Sequence, residues 1–313
     1  MAEIFLDLLL AHGTTTACAF ASVHPGSVDA LFAASEGRGM RMIAGKVMMD
    51  RNAPDGVRDT PQRGYDETKA LIERWSGKGR LQYAITPRFA ITSTAEQMKA
   101  AGTLASEHPD LHIQTHLSEN LAEVEYTLSL YPSVRDYLDV YEAHGLLGPR
   151  SLMGHAIHLR PREIARMAET GTRAVFCPTS NLFLGSGLFD AEGLRKAGVV
   201  SGVATDVGGG THYSLLQTLN EAYKVLQLRG RRFIRSQRSI GRRAAMRWRS
   251  ASPNGSARSA SVPRRISSCS IRARLPRWRS APSGSRAPPR SFSFCRSWAT
   301  TAPSLRLTSR ACR

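Results

Sequence analysis

The sequence predicts an α/β protein: a TIM-type (β/α)8 barrel with a parallel sheet that lacks its first strand. Up to Gly230, short apolar or β-branched runs alternate with longer helical stretches, which is the pattern of repeated βα units. Three of the apolar runs end at or near a histidine or an aspartate. In barrels of this type the carboxyl ends of the strands carry the catalytic side chains, so these positions predict an active site.

Seven runs have the length and composition of strands. They are TTTACAFAS from Thr14, MRMIAGKVMM from Met40, LQYAITPRF from Leu81, LHIQTHL from Leu111, SLMGHAI from Ser151, AVFCPTS from Ala174 and VSGVATD from Val200. A helical stretch, AEIFLDLLLAHG, precedes the first of them. Because a seven-stranded sheet would leave open edges, we expect a barrel whose first strand is missing through truncation at the N-terminus.

Helical stretches fill the intervals between these runs. They are SVDALFAASE, YDETKALIERWSG, STAEQMKAAGTLASEH, NLAEVEYTLSLY, SVRDYLDVYEAHG, PREIARMAETG and FDAEGLRKAG, and YSLLQTLNEAYKVLQL follows the seventh run. Several end in glycine, the residue preferred just beyond a helix C-terminus. The alternation supports one (β/α) domain over residues 1–230.

The charge divides the chain at the same point. Residues 231–313 contain 21 arginines and no lysine, aspartate or glutamate. The net charge of that segment is +21, against −3 for residues 1–230, so the formal +18 belongs to the last quarter. The first three quarters have the composition of an ordinary, slightly acidic soluble protein.

Residues 231–313 form a second predicted unit, a basic low-complexity tail without secondary structure. Arginine, serine, proline and alanine dominate it, and no amphipathic period persists. We favour out-of-frame translation of a GC-rich coding sequence as its origin. The alternatives are a solvated tail and a nucleic-acid-binding arm, in which arginines contact phosphates and Trp248, Trp278 and Trp298 stack on bases.

The cysteines and the hydropathy restrict the compartment. The five cysteines are scattered without a CxxC pair, which argues against a disulfide framework and a thiolate zinc site. No apolar run reaches the roughly 18 residues that a membrane-spanning helix needs. The sequence therefore predicts a cytoplasmic protein with no membrane partner.

Candidate site residues lie at the ends of three predicted strands. His116 ends its strand with Glu119 one helical turn later, an arrangement that suits a metal-bound water and a carboxylate that moves its proton. His155 and Asp206 end later strands. Structural alternatives are a core histidine beside a helix-terminal glutamate for the first pair, a backbone-bonded buried histidine for His155, and a helix cap or a phosphate-binding glycine loop for Asp206.

Several motifs together resemble the guanine deaminases of the amidohydrolase superfamily over residues 2–229. They are TTTACAFA, GKVMMD, TPRFA, HIQTHLSEN, VEYTLSLYPS, GHAIHL, CPTSN and TDVGGG with SLLQTLNEAYKV. GHxxHL and TD are shared by many deaminases of the superfamily, whereas GKVMMD, TPRF and THLSEN are more discriminating. The resemblance implies a zinc-dependent barrel that hydrolyses guanine to xanthine and ammonia.

The resemblance also implies roles for particular residues. His116 and Asp206 would be zinc ligands and Glu119 the proton shuttle, with Asp206 as a further base. His155 would orient the attacking hydroxide. The family's substrate pair corresponds to Arg88 and Phe89, a guanidinium for the purine carbonyl oxygen and an aromatic ring for the base.

One departure from the family pattern concerns the metal. The family has an HxH pair on its first strand, and no HxH exists in this chain, so two of the expected ligands of the single zinc ion are absent. The resemblance further implies a homodimer. Two alternatives stay open: a deaminase of another purine or a triazine, and an inert barrel remnant whose basic tail binds nucleic acid.

Overall fold

The computed structural model describes residues 1–230. Its strands are β1 (Thr16–Phe20), β2 (Arg41–Gly45), β3 (Val47–Met48), β4 (Leu81–Pro87), β5 (His112–Leu117), β6 (Ser151–His155), β7 (Arg173–Phe176) and β8 (Ser201–Val203). The α-helices are α1 (Ala2–Ala11), α2 (Pro25–Gly37), α3 (Pro61–Trp75), α4 (Ala95–Glu107), α5 (Leu121–Leu130), α6 (Tyr137–Glu142), α7 (Pro161–Thr170), α8 (Pro178–Phe183), α9 (Ala191–Lys196) and α10 (Leu215–Leu228). The predicted tail, residues 231–313, lies outside the described residues, so the domain boundary at 230 stays a prediction.

The strands form a parallel sheet in the order β1-β2-β4-β5-β6-β7-β8, with β3 paired to the end of β4. Each strand position therefore neighbours the next one along the chain, as in a (β/α) barrel. The predicted fold class is confirmed, with seven of the eight strand positions of such a barrel in the described residues.

All seven predicted strands are present, but each is shorter than its predicted run. The second is divided into β2 and β3 at Lys46. The run predicted as a strand from Ala174 to Ser180 is strand only as far as Phe176, and α8 begins at Pro178. Proline has no amide hydrogen for the strand ladder and is favoured in the first turn of a helix, which explains that correction.

A buried ion cluster lies where β2 ends. Lys46 is fully buried and its ammonium pairs with the buried carboxylate of Asp59 and, at 3.3 Å, with Glu67 of α3. The Lys46 amide donates to the hydroxyl of Tyr83 at 2.9 Å. At Gly45 a Cβ would lie 1.7 Å from the carbonyl oxygen of Ala84, so only glycine allows β2 this close to β4. The cluster fixes the direction in which the chain enters β3.

The helices cover the outer face of the sheet and bury its apolar side chains. Phe32 of α2 packs between Trp75 of α3 and Tyr83 of β4, with ring centroids 5.7 and 6.4 Å apart. The main core cluster extends from Leu6 of α1 to Val225 of α10, so the first and last helices both belong to it. Within residues 1–230 no helix is long and apolar enough to span a membrane.

We expect Lys46→Met to reduce the free energy of unfolding by about 3–5 kcal/mol, because the variant removes the buried cation from the Asp59 carboxylate and leaves only the half-exposed Arg63 to pair with it. Urea denaturation at neutral pH measures the change. Lys224→Met is the matched control, since Lys224 pairs with Glu221 in an exposed position where an ion pair contributes about 0–1 kcal/mol. A Lys46→Met loss no larger than that of the control would contradict this account of the cluster.

Candidate functional site at the carboxyl edge of the sheet

The carboxyl ends of β5, β6, β7 and β8 bring the predicted site residues to one edge. His116 is the penultimate residue of β5 and His155 the last of β6, and the register pairs Leu117 with His155. Cys177 follows β7 directly, and Asp206 follows β8 after two residues. Parallel strands that end together bring these side chains to one edge of the sheet.

Positive φ angles mark the turns that leave β5, β6 and β8. They occur at Ser118 (48°), His155 (64°), Ala156 (49°) and Asp206 (48°). Left-handed backbone costs a non-glycine residue about 1–3 kcal/mol and persists only where surrounding contacts hold it. At β5 and β6 these contacts include the Ala156 amide, which donates to the Leu117 carbonyl at 2.8 Å.

The imidazole of His116 is fixed in one tautomer. Its Nδ1 lies 2.8 Å from the carbonyl oxygen of Arg88, so Nδ1 carries the hydrogen and donates it, which leaves Nε2 as a free acceptor. Burial, and then the neighbouring His155, lower the pKa of His116 to about 4. At neutral pH the ring is therefore uncharged, the form in which histidine binds metals.

His155 is almost fully buried and contacts a polar group at each ring nitrogen. Nδ1 is 2.8 Å from Nδ2 of Asn181, and Nε2 is 3.6 Å from a carboxylate oxygen of Glu119. Its ring lies nearly parallel to that of His116, with centroids 5.3 Å apart. Burial lowers the pKa of His155, against the opposing effect of the Asp206 carboxylate, so this ring too is neutral at pH 7.

Glu119 is held from two directions. One carboxylate oxygen accepts a hydrogen bond from the Ser186 hydroxyl at 2.9 Å, and the backbone amide donates to Glu123 at 3.1 Å. Glu123 also completes a capping box with Asn120 at the start of α5. The helix terminus therefore sets the backbone of Glu119, and Ser186 sets its carboxylate beside His155.

Asp206 and His155 each have a potential ligand atom within 4.8 Å of the other. The Asp206 carboxylate also opposes the lowering of the pKa of His155 and His116. The glycines after it leave no room for other residues: a Cβ on Gly209 would lie 3.0 Å from Asp206 Oδ2, and one on Gly210 would lie 2.1 Å from the Thr205 carbonyl. The glycine run thus allows the backbone to fold closely around the aspartate, and this packing accounts for the motif without a phosphate.

The predicted substrate residues border the same site. Phe89 lies 5.8 Å from the ring of His116, and the guanidinium of Arg88 lies 5.5 Å from the centroid of Phe89. Phe20, at the end of β1, approaches His116 from the other side at 4.9 Å. Arg88 is exposed, so its donors are available to a ligand at the rim.

Three further residues of the site, Cys177, Asn181 and Ser186, had no predicted role. Among residues 1–230, a single group of three potential metal ligands lies within 4.8 Å: His155, Cys177 and Asp206. His116 lies beside this group and is not part of it. Burial, and then Asp206, raise the pKa of Cys177, so the thiol is protonated. Asn181 contacts His155, and Ser186 donates to Glu119. CPTSN contains Cys177 and Asn181, and α8 begins at its proline.

The site therefore combines two neutral imidazoles, two carboxylates and a thiol beside an aromatic ring and an exposed guanidinium. Imidazole nitrogen and carboxylate oxygen are zinc ligands, and a carboxylate that borders the same site can transfer protons. The arrangement is suited to metal-assisted hydrolysis of a planar ligand.

Comparison with known proteins places this geometry in a family. The model described as "Amidohydrolase family" matches residues 2–241. Guanine deaminase of Escherichia coli (strain K12) is 54% identical over 232 residues, which are 74% of this chain and 53% of the relative. The probable guanine deaminase of Deinococcus radiodurans is 45% identical over 72% of this chain and 52% of its own length.

Solved structures agree with the sequence comparison. The structure of E. coli guanine deaminase aligns with a TM-score of 0.73 over 74% of this chain and 54% of that chain, at 54% identity. The guanine deaminase from C. acetobutylicum, solved with bound guanine, aligns with a TM-score of 0.70 at 30% identity, over 77% of this chain and 56% of that one. The chain spans about half the length of the relatives it matches. Because the family model covers most of its residues, this chain belongs to the amidohydrolase family.

Proposed function

We propose that this chain carries the proton-transfer and base-binding residues of a guanine deaminase, which hydrolyses guanine to xanthine and ammonia. The observation that carries the proposal is the convergence of His116, Glu119, His155 and Asp206 at one edge of the sheet. The relative with 54% identity, a guanine deaminase, supports the choice of substrate.

We assign His116 and Asp206 as two of the ligands of a single zinc ion. The Arg88 carbonyl holds the Nδ1 hydrogen of His116, which leaves Nε2 open for a metal, and Asp206 supplies a carboxylate oxygen nearby. A bound zinc ion supplies Lewis acidity that lowers the pKa of water towards ~7. The sequence has no HxH pair, so two further ligands expected of the family do not come from this chain.

Glu119 is positioned to move the proton. In the proposed reaction its carboxylate accepts a proton from the attacking water and returns it to the leaving ammonia. Ser186 occupies one carboxylate oxygen, and the other faces Nε2 of His155 at 3.6 Å. His155 orients the water, and Asp206 serves as a further base after the attack.

Arg88 and Phe89 would bind the base. Guanine presents a carbonyl oxygen, and a guanidinium offers a fixed set of donors to such an acceptor. The Phe89 ring neighbours both the Arg88 guanidinium and the His116 imidazole. In the proposed binding mode a purine packs on that ring with its carbonyl edge towards Arg88 and the carbon that bears the amine towards the metal ligands.

The second candidate is a deaminase of another purine or a triazine, and it differs in its need for Arg88. A base without a carbonyl acceptor gains nothing from this guanidinium, so competition among guanine, adenine and a triazine distinguishes the two. We also propose a homodimer for the intact enzyme. Binding of nucleic acid would depend on residues 231–313, and salt-sensitive binding that disappears on truncation at Gly230 would reveal it.

We expect the zinc-loaded enzyme, with the HxH ligands that this chain lacks restored, to form xanthine and ammonia from guanine. In that parent chain Glu119→Gln should slow the reaction by about 10²–10⁴-fold, because the amide cannot take up the proton. Xanthine absorbance and coupled ammonia release measure the rate. Glu125→Gln, at an exposed position of α5, the helix that follows Glu119, is the matched control. An unchanged rate in Glu119→Gln, or no xanthine from the parent chain, would contradict the proposal.

Arg88→Leu should weaken guanine binding by about 10- to 100-fold, since a hydrogen bond to a charged group contributes about 1.5–3 kcal/mol. Equilibrium dialysis with labelled guanine measures binding without turnover. The control is Arg195→Leu on α9, whose guanidinium pairs with Glu192 away from the site. Equal losses for guanine and adenine would argue against the assigned contact.

The lowered pKa of His116 predicts a pH dependence of stability. The unfolded imidazole takes up a proton near pH 6.5 and the folded one near pH 4, so the unfolded state holds more protons between these values. The contribution of His116 to the free energy of unfolding should therefore have its full value above pH ~6.5 and decrease as the pH falls to ~4. Urea titrations across this range should show a smaller fall in His116→Gln.

A second variant tests the same reasoning elsewhere in the fold. Burial, followed by Arg150, Arg173 and Arg41, lowers the pKa of His112 to about 4 as well. His112→Gln, like His116→Gln, should therefore lose less stability than the parent chain as the pH decreases from ~6.5 to ~4. If His116→Gln retains the full pH dependence while His112→Gln does not, the neutral buried state assigned to His116 is wrong.

A further inference from the structure

A buried thiol that the proposed reaction does not use lies at the centre of the site. Cys177 follows β7 and precedes Pro178, which starts α8, and 4% of its surface is exposed. Its sulfur and one potential ligand atom each from His155 and Asp206 all lie within 4.8 Å of one another.

These separations approach those of an occupied metal site. Zinc binds cysteine sulfur at about 2.3 Å and histidine nitrogen or carboxylate oxygen at about 2.0–2.2 Å, so tetrahedral donors lie somewhat closer together than the three do here. The set of sulfur, nitrogen and oxygen donors favours a thiophilic cation over a hard one such as magnesium.

Asn181 leaves a nitrogen of His155 available for such a cation. Its amide contacts Nδ1, so Nε2 is the nitrogen that faces the site. The other amide atom of Asn181, Oδ1, is buried and has no hydrogen-bond partner within the described residues. Rotation of the amide would let Oδ1 accept from Nδ1–H, and Nε2 would then present its lone pair.

We propose that Cys177, His155 and Asp206 form a binding position for one thiophilic divalent cation, with a donor set different from the His116–Asp206 pair. On binding, the S–H bond of Cys177 breaks, a sulfur–metal bond forms, and one proton passes to solvent. The position overlaps the proposed reaction site but does not depend on guanine as the substrate. A cation there occupies His155 and Asp206, so excess thiophilic metal inhibits the proposed reaction.

Cadmium alone is the probe, because a cadmium–thiolate bond gives a charge-transfer absorption in the ultraviolet. Serine replaces Cys18, Cys269, Cys295 and Cys312 in the full-length chain, so that Cys177 is its only thiol. Titration should then give a band that saturates at one cadmium per chain. The same chain with Cys177→Ser is the matched control and should show no band.

The neighbouring ligands provide the decisive comparison. His155→Gln and Asp206→Asn should each weaken cadmium binding by at least tenfold, whereas an isolated thiol would bind the ion equally well in both variants. Absence of the band, or a band that is insensitive to both substitutions, would overturn the site. Circular dichroism identifies any variant that fails to fold.

X-ray absorption of cadmium in the single-thiol chain provides a second measurement that needs no further substitution. One sulfur together with nitrogen or oxygen neighbours supports the site, and a shell of nitrogen and oxygen alone rules it out. Neither readout involves turnover. Failure of these experiments would remove the cysteine site only, whereas absent xanthine formation would contradict the deaminase proposal only.

Discussion

The geometry of the site depends on one hydrogen-bond acceptor, the carbonyl oxygen of Arg88. It accepts three hydrogen bonds: from the His116 amide at 3.1 Å, from the His116 imidazole at 2.8 Å and from the Thr115 hydroxyl at 3.1 Å. One backbone atom at the end of β4 thereby fixes the position and the tautomer of a ring at the end of β5. The same residue carries the guanidinium proposed to bind the base. The positioning of His116 and the binding of the base therefore both depend on Arg88.

The position of Arg88 in turn depends on the break between β2 and β3 at Lys46. The amide of Arg88 donates to the carbonyl of Met48 at 3.1 Å, and the buried Lys46 cluster determines where β3 lies. On the opposite side the hydroxyl of Tyr141, from α6, donates to the His116 carbonyl at 2.7 Å. Buried polar groups remote from the site therefore determine the geometry of its ligands.

The fold and the strand-end residues could be predicted because both follow from local patterns. Strand and helix periods identify the βα units, and parallel strands necessarily bring His116, His155 and Asp206 to one edge. The places of Asn181 and Ser186 could not be predicted in this way, because they depend on α8, a short helix in a run with strand composition. The burial of Lys46 was equally invisible, since its partner Asp59 lies in a loop and only tertiary packing brings the two together.

The close fit of Gly209 and Gly210 around Asp206 has a consequence for variation at this edge of the molecule. A side chain at either position would push against the aspartate or against the backbone that carries it. Homologues that retain the carboxylate are thus expected to retain both glycines with it, and a screen that randomises this loop would recover few survivors there.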